Sequence, residues 1–236
     1  MSQKAEMSNL IWRVQQRQPV AVVTLAGQAE AAGAGVHDAL WDCLAGMPTV
    51  LLLEVSRMEV AACSALSWIR DLSFAARKWP GVPVYLCGAE ETAQRCSLPG
   101  YASVAEAREA WEDAEPEERH SLALPPVPQS CADAREFVAK VCHGWGIKRP
   151  VRLAQILISE LVSNAVVHAR TGLDVTVRRL GEGIELSVRD DGATKLPADL
   201  PPDPRGFGLQ LVEAMSDSWG SAPTGSGKVV WTRLLA

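Results

Sequence analysis

Residues 158–170 read ISELVSNAVVHAR, and this stretch decides the fold of the second half of the chain. An apolar face of a predicted helix is formed by Ile158, Leu161, Val162 and Ala165. A polar stripe beside that face is formed by three residues spaced four apart, Glu160, Asn164 and His168. Such a stripe is also typical of a solvated helix surface, so the helix alone does not indicate a binding site.

The apolar strand IELSVR is followed directly by Asp190-Asp191-Gly192. A carboxylate at a strand end can accept a hydrogen bond from an exocyclic amine such as that of adenine. By itself the tripeptide is more typical of a plain Asp-Gly turn.

Fourteen residues after Gly192, Gly206-Phe207-Gly208-Leu209 opens an amphipathic segment predicted to be a short helix over residues 207–218. Glycine lets the backbone approach a phosphate, and unpaired N–H groups at a helix start point toward it. A lone GxG is more often an ordinary helix start.

In this order and at these spacings, the asparagine helix, the DxG turn and the GxGL turn resemble the nucleotide-binding motifs of the GHKL ATPase superfamily. Within it, ELVSNAVVHA, the short segment between Gly192 and Gly206, and the ending GKVVW resemble bacterial anti-sigma-factor serine kinases. Thr194 stands where the family often has a second glycine after the DxG turn.

The resemblance implies ATP and Mg²⁺ as cofactors and a role for each motif residue. Asn164 would be a magnesium ligand, Asp190 would contact adenine, and Glu160 would be the general base that deprotonates an acceptor serine. The residues that would shape the pocket are Gly192, Gly206, Gly208 and Leu209. Arg205 and His168 are candidates for places near the phosphates, although a solvated arginine and a structural histidine are the simpler interpretation.

The elements around these motifs predict a two-domain protein. The acidic and proline-rich residues 114–129 are typical of a linker that enters an edge strand, so we predict a first domain over residues 1–115, a linker and first strand over 116–129, and an ATP-binding domain over 130–236. In the last of these we predict a helix near residues 134–145, a helix over 151–169, a β-hairpin turning at 181–183 and a final strand from Lys228. Helices on one face of a mostly antiparallel sheet are the expected packing.

The first domain alternates strands and helices, an α/β arrangement, and resembles a STAS domain, the fold of the antagonists that such kinases phosphorylate. In the segment that matches the phosphoacceptor motif, Cys63 stands at the acceptor serine, Ala62 at the preceding aspartate and Ala65 at the glycine. This implies a degenerate acceptor site. Ser64 is the neighbouring hydroxyl, and we predict that it is a helix N-cap rather than a substrate.

The composition limits the other possibilities. A formal net charge of -5 argues against a broad nucleic-acid-binding surface, and no apolar run is long enough to span a membrane, so we expect a cytoplasmic location. The six cysteines contain no CxxC pair, and we expect them to be reduced thiols.

Two functional hypotheses remain open. In one, the chain is an ATP-dependent serine/threonine kinase and anti-sigma-type regulator that binds a sigma factor or phosphorylates a separate STAS-domain antagonist. In the other, it is a non-catalytic nucleotide-dependent binding module, and the fused STAS-like domain is an internal pseudo-substrate. A metabolic enzyme is a more distant alternative. A homodimer is plausible because related kinases commonly dimerise.

Overall fold

The structure is a computed structural model, and it describes residues 10–16, 19–28, 34–60, 62–95, 97–111, 118–192 and 208–235. The chain divides into two compact units, Met1–Pro116 and Glu117–Ala236. Both mix helices and strands, which confirms the predicted α/β and α+β fold class with two domains. Within the described ranges, no helix has the length and apolar character needed to cross a membrane.

The first unit is a mixed sheet with helical connections. Its elements are β1 (Ile11–Gln16), β2 (Val20–Gln28), α1 (Ala34–Ala45), β3 (Val50–Glu59), a 3₁₀ turn (Cys63–Leu66), α2 (Ser67–Lys78), β4 (Val84–Cys87), α3 (Glu90–Arg95), β5 (Gly100–Tyr101) and α4 (Val104–Trp111). The strand order is β1-β2-β3-β4-β5, with β1 antiparallel to β2 and the remaining neighbours parallel. The parallel strands β2 and β3 are rich in Val and Leu. Their first four residues are buried, as in strands covered on both faces, and their last residues are exposed.

The second unit is an antiparallel sheet with helices. Its elements are β6 (Arg119–Leu124), α5 (Ser130–Gly144), α6 (Val151–His168), β7 (Leu173–Leu180), β8 (Gly183–Asp190), α7 (Gly208–Met215), β9 (Ser218–Pro223) and β10 (Lys228–Leu234). The strand order is β6-β7-β8-β10-β9, so β6 lies at one edge and β8 lies in the middle. The predicted hairpin is present, with β7 and β8 joined across Gly181 and Glu182.

One core holds this unit together. The apolar side of α6 predicted from the sequence is buried, and it packs with residues of α5 and with one face of the sheet. The sheet residues of this core alternate along the strands: Val175 and Val177 on β7, Ile184, Leu186 and Val188 on β8, Val230 and Leu234 on β10. Asp190 and Lys228 continue the same alternation, so they lie on the helix-covered face of the sheet.

A buried ion cluster lies on the opposite face of the same sheet. Glu185 Oε2 accepts hydrogen bonds from Arg178 Nη2 at 2.9 Å and from Arg233 Nε at 2.7 Å. All three residues alternate with the helix-facing positions of their strands. The charges of this cluster therefore belong to the outer face and not to the side that α6 covers.

Two details differ from the sequence-based expectations. The last predicted helix is shorter than expected, because α7 ends at Met215 and Ser218–Pro223 forms strand β9, paired along its length with β10. The predicted N-cap role of Ser64 is wrong. Ser64 lies inside the 3₁₀ turn, the N-cap is Ala62, and α2 begins only at Ser67, whose N–H donates to the Ser64 carbonyl.

Candidate functional site

The polar stripe of α6 is the floor of the candidate site. Glu160 and Asn164 are half-buried, whereas His168, in the last turn, is exposed. The stripe lies beside the buried face of the helix, so its position is fixed by the core beneath it. The location of His168 near the phosphates remains a prediction.

The start of α7 lies directly against this stripe. A Cβ atom built on Gly208 would be 2.8 Å from Glu160 Oε2 and 3.6 Å from both Asn164 Oδ1 and Nδ2. The backbone of Gly208 therefore approaches two predicted site residues at a distance that a side chain would fill. Leu209, the next residue, is half-buried on α7.

Several predicted site residues lie outside the described part of the chain. Gly206, Thr194 and Arg205 belong to residues 193–207, so of the predicted GxGL turn only Gly208 and Leu209 are described. The structure brings Gly208 to Glu160 and Asn164 although those residues lie more than forty positions earlier in the chain.

The Asp190 turn forms the other end of the site. Asp190 is the last residue of β8 and is buried, and its Oδ1 accepts a hydrogen bond from the Gly192 N–H at 3.1 Å. A Cβ atom on Gly192 would be 2.7 Å from the Cβ of Ala169, so the turn lies against the C-terminal end of α6. Ala169 is five residues after Asn164, about 7.5 Å along a helix axis. This separation leaves space for a sugar between a base at Asp190 and phosphates at Asn164.

Hydrogen bonds from neighbouring loops stabilise the turn that follows Asp190. The Asp191 N–H donates to Thr171 Oγ1 at 3.1 Å, and Asp191 Oδ1 accepts a hydrogen bond from Ser226 Oγ at 2.6 Å. Three segments that are distant in sequence are thus tied together around the DxG turn. Asp190 is consequently held by its own strand and by the loops on both sides of it.

Lys228 lies beside the predicted site residue Asp190, and the sequence did not indicate this. It is the first residue of β10, it pairs in register with Asp190, and its Nζ lies 3.1 Å from Asp190 Oδ2. The side chains are 9% and 1% exposed, respectively, so the ion pair is buried. The only sequence signal was a lysine that follows a glycine and precedes the apolar residues Val229 and Val230. Its position beside Asp190 becomes clear once the β8–β10 register is known.

The glycine before Lys228 allows this close approach. A Cβ atom on Gly227 would collide with the carbonyl group of Asp190 and with Asp191 Cα. A tight turn holds Gly227 in this position. The Gly227 N–H donates to Thr224 Oγ1 at 3.0 Å, and the Gly227 carbonyl accepts from the Thr224 N–H at 2.9 Å. Gly227 therefore permits the contact that places Lys228 beside Asp190.

Glu160 also influences the start of α5. Burial raises the pKa of the Cys131 thiol, the Arg135 guanidinium lowers it, and the Glu160 carboxylate raises it. Because the net direction is upward, Cys131 is a neutral thiol at pH 7. Glu160 thus has an uncharged neighbour on the α5 side.

A magnesium ion that also binds phosphates and water needs few protein ligands. Within the described ranges there is no group of three or more His, Cys, Asp or Glu side chains that could hold a metal ion. Mg²⁺ takes one or two protein oxygens when phosphates and water complete its shell. The Asn164 amide oxygen, beside the close backbone approach of Gly208, meets that requirement.

The predicted acceptor region of the first unit is also described. Cys63 is half-buried at the start of the 3₁₀ turn, and Ser64 is exposed. The expectation of reduced cysteines is wrong for Cys63, which is disulfide-bonded. Disulfides join residues that the fold brings together, and no local spacing revealed this one. Among the described cysteines, Cys43, Cys87, Cys131 and Cys142 are not disulfide-bonded.

Comparison with known proteins gives one family match, and it lies in the second unit. Residues 124–234 match the family described as histidine kinase-like ATPase domain. No curated protein sequence matches the chain.

Solved structures match parts of the chain at low identity and with TM-scores below 0.5. The RsbU and RsbW domains of a Mycobacterium tuberculosis protein match at 19% identity and a TM-score of 0.40, covering 50% of this chain and 32% of that one. An anti-sigma factor antagonist from Mycobacterium paratuberculosis matches at 16% identity and a TM-score of 0.30, covering 44% of this chain and 95% of that one. The histidine kinase domain of a blue-light activated kinase from Erythrobacter litoralis matches at 17% identity and a TM-score of 0.27, covering 73% and 84%. The chain therefore spans about a third of the length of the first of these proteins.

Proposed function

We propose that this chain, whose residues 124–234 match the histidine kinase-like ATPase domain family, is an ATP-binding regulator of the anti-sigma-factor serine kinase type. It would act in the control of transcription by partner switching, either by binding a sigma factor or by phosphorylating a STAS-domain antagonist. The observation that carries the proposal is the approach of Gly208 to Glu160 and Asn164, because it places a helix start, a carboxylate and an amide around one point.

In this proposal each motif binds a different part of the nucleotide. Asp190 accepts a hydrogen bond from the adenine amine at the buried end of the site. Asn164 holds the magnesium ion that accompanies the phosphates, and the N–H groups at the start of α7 face the phosphate oxygens. The bound Mg²⁺·ATP supplies the phosphoryl group and neutralises its charge.

Glu160 performs the chemical step. Its carboxylate takes the proton from the hydroxyl of an acceptor serine on the partner. The serine oxygen forms a bond to the γ-phosphorus while the bond from that phosphorus to the bridging oxygen of ADP breaks, so that phosphoserine and ADP are the products. The contact with Gly208 keeps the carboxylate at the place where the phosphates would end.

Phosphoryl transfer to a separate STAS protein tests the kinase proposal. The full chain is incubated with labelled ATP, magnesium and a STAS protein that carries the acceptor serine. We expect transfer by the wild type and a loss of about 10²- to 10⁴-fold for Glu160→Gln, the usual contribution of a general base, with ATP binding retained. Absence of transfer to every partner, with Glu160→Gln indistinguishable from the wild type, would refute kinase activity.

A second candidate function is a non-catalytic binding module, favoured by the disulfide-bonded Cys63 at the acceptor position of the fused domain. Tethering raises the effective concentration of that domain to about millimolar, which suits a pseudo-substrate. Capture of a partner by the full chain, with and without ATP, separates the two candidates. Capture that depends on ATP and is the same for Glu160→Gln would favour the binding module.

A further inference from the structure

The ion pair between Asp190 and Lys228 is more than a contact at a sheet end. The two residues face each other across β8 and β10, on the helix-covered side of the sheet, beside the DxG turn. Counted as whole residues, Lys228 is 7% exposed and Asp190 is 2% exposed. Removing two charges from water is costly, so a buried ion pair is weak evidence that the pair stabilises the fold. Because the pair lies beside the DxG turn, we consider a role in binding.

The hydrogen bonds of the carboxylate determine what it can still accept. A carboxylate offers about four lone pairs, two on each oxygen. Asp190 Oδ1 accepts from the Gly192 N–H at 3.1 Å and from Lys228 Nζ at 3.4 Å, while Nζ lies 3.1 Å from Oδ2. Among the residues that the structure describes, these contacts fill Oδ1 and leave one lone pair on Oδ2.

The ammonium group has the complementary capacity. It carries three N–H donors, and its contacts with the two carboxylate oxygens use at most two of them. The pair therefore presents one acceptor, on Oδ2, next to one donor, on Nζ. A ligand edge that matches it has a single N–H donor beside a single acceptor.

Adenine and guanine differ in this respect. Adenine has the N6 amine beside the N1 acceptor, a single donor position next to an acceptor. The corresponding edge of guanine has the O6 acceptor followed by two adjacent donors, N1–H and the N2 amine. When O6 accepts from the ammonium group and N1–H donates to Oδ2, the N2 amine is directed at Oδ1. With Oδ1 already filled, guanine would leave one buried donor unpaired, which is strongly disfavoured.

We propose that Lys228 is the residue that makes the site selective for adenine over guanine nucleotides, by occupying Asp190 Oδ1 and donating to the base. This inference rests on the proposed nucleotide site. Asp190 alone does not make this distinction, because a free carboxylate accepts one donor or two.

Binding of MgATP and MgGTP to the full chain, measured by titration calorimetry, tests the inference. We expect the wild type to prefer ATP. In Lys228→Met the Oδ1 lone pair is released, and the ratio of the GTP and ATP dissociation constants should fall by about tenfold, the value of one buried hydrogen bond. Lys140→Met, at an exposed position on α5, is the matched control and should leave the ratio unchanged.

A second variant keeps the test decisive if Lys228→Met fails to fold. Lys228→Arg retains the charge, but its planar fork bonds both carboxylate oxygens and fills Oδ2 as well. We expect Lys228→Arg to remain folded, to bind ATP at least about tenfold more weakly and to gain no affinity for GTP.

The possible failures are distinguishable. If the wild type binds neither nucleotide, the proposed function fails and the inference fails with it. If the wild type binds ATP and GTP equally, or if both Lys228 variants retain the wild-type affinities and ratio, the inference is overturned while the nucleotide site stands.

Discussion

Gly208 approaches Glu160 so closely that a Cβ atom at position 208 would lie 2.8 Å from Glu160 Oε2. The first residue of α7 and the middle of α6 are thus in contact through a residue that has no side chain. The atom that would be struck is the far end of a flexible side chain, so the contact can relax without unfolding the domain. What would move is the carboxylate assigned as the general base.

Gly208→Ala should therefore impair function more than stability. The displaced carboxylate is the end of a flexible side chain and can move aside, so the cost in stability should be small. We expect a melting temperature close to that of the wild type and a loss of phosphoryl transfer or ATP turnover. Gly144→Ala is the control, because a Cβ atom there meets nothing within 4 Å. Equal activity of Gly208→Ala and Gly144→Ala would contradict the arrangement.

Asp190→Asn should lower stability as well as nucleotide binding. If Asp190 only contacted a ligand, the free energy of unfolding of the ligand-free protein would be unaffected by this change. Because Lys228 is buried against it, the substitution leaves an uncompensated charge, and we expect a loss of about 3–5 kcal/mol in urea unfolding. The double variant Asp190→Asn with Lys228→Met removes both charges and should recover part of that loss. A single variant as stable as the wild type would argue against the buried pair.

The pH dependence of stability should contain a contribution from Cys87. Burial raises the pKa of this thiol from 9.0 to about 12, with further upward contributions from Glu54 and Glu106. The folded state then binds a proton that the unfolded state releases, so the stabilisation is fully present below pH 9 and is lost as the pH rises toward 12. The stability difference between the wild type and Cys87→Val should therefore shrink between pH 8 and pH 10.5. A difference independent of pH would contradict the raised pKa.

The elements that the sequence predicted well are those whose pattern is local. The apolar face of α6 has helical spacing, and β7 and β8 alternate around a glycine-containing turn, so each element could be recognised from its own residues. Strand β9 was missed because SWGSAP contains residues that favour turns, and its extended form depends on pairing with β10.

The same distinction holds for the candidate site. The spacing of Glu160 and Asn164 is visible within one helix, and their relation to the GxGL turn followed from a resemblance. The Asp190–Lys228 pair joins positions 38 residues apart, and it becomes apparent only when β10 is placed beside β8 in register. Likewise, the disulfide at Cys63 had no sequence signal, because it depends on which residues the fold brings near.

We propose that α6 carries a magnesium-dependent nucleotide site built on Asn164. Calorimetric titration of MgATP into the full chain tests this proposal most directly. We predict one equivalent bound by the wild type, and binding by Asn164→Ala that is at least about tenfold weaker, since a lost contact to a charged group is worth about 1.5–3 kcal/mol. Val167→Ala, at an exposed position on the same helix, should bind like the wild type. A wild type that takes up no MgATP, or an Asn164→Ala variant that binds it equally well, would contradict the claim.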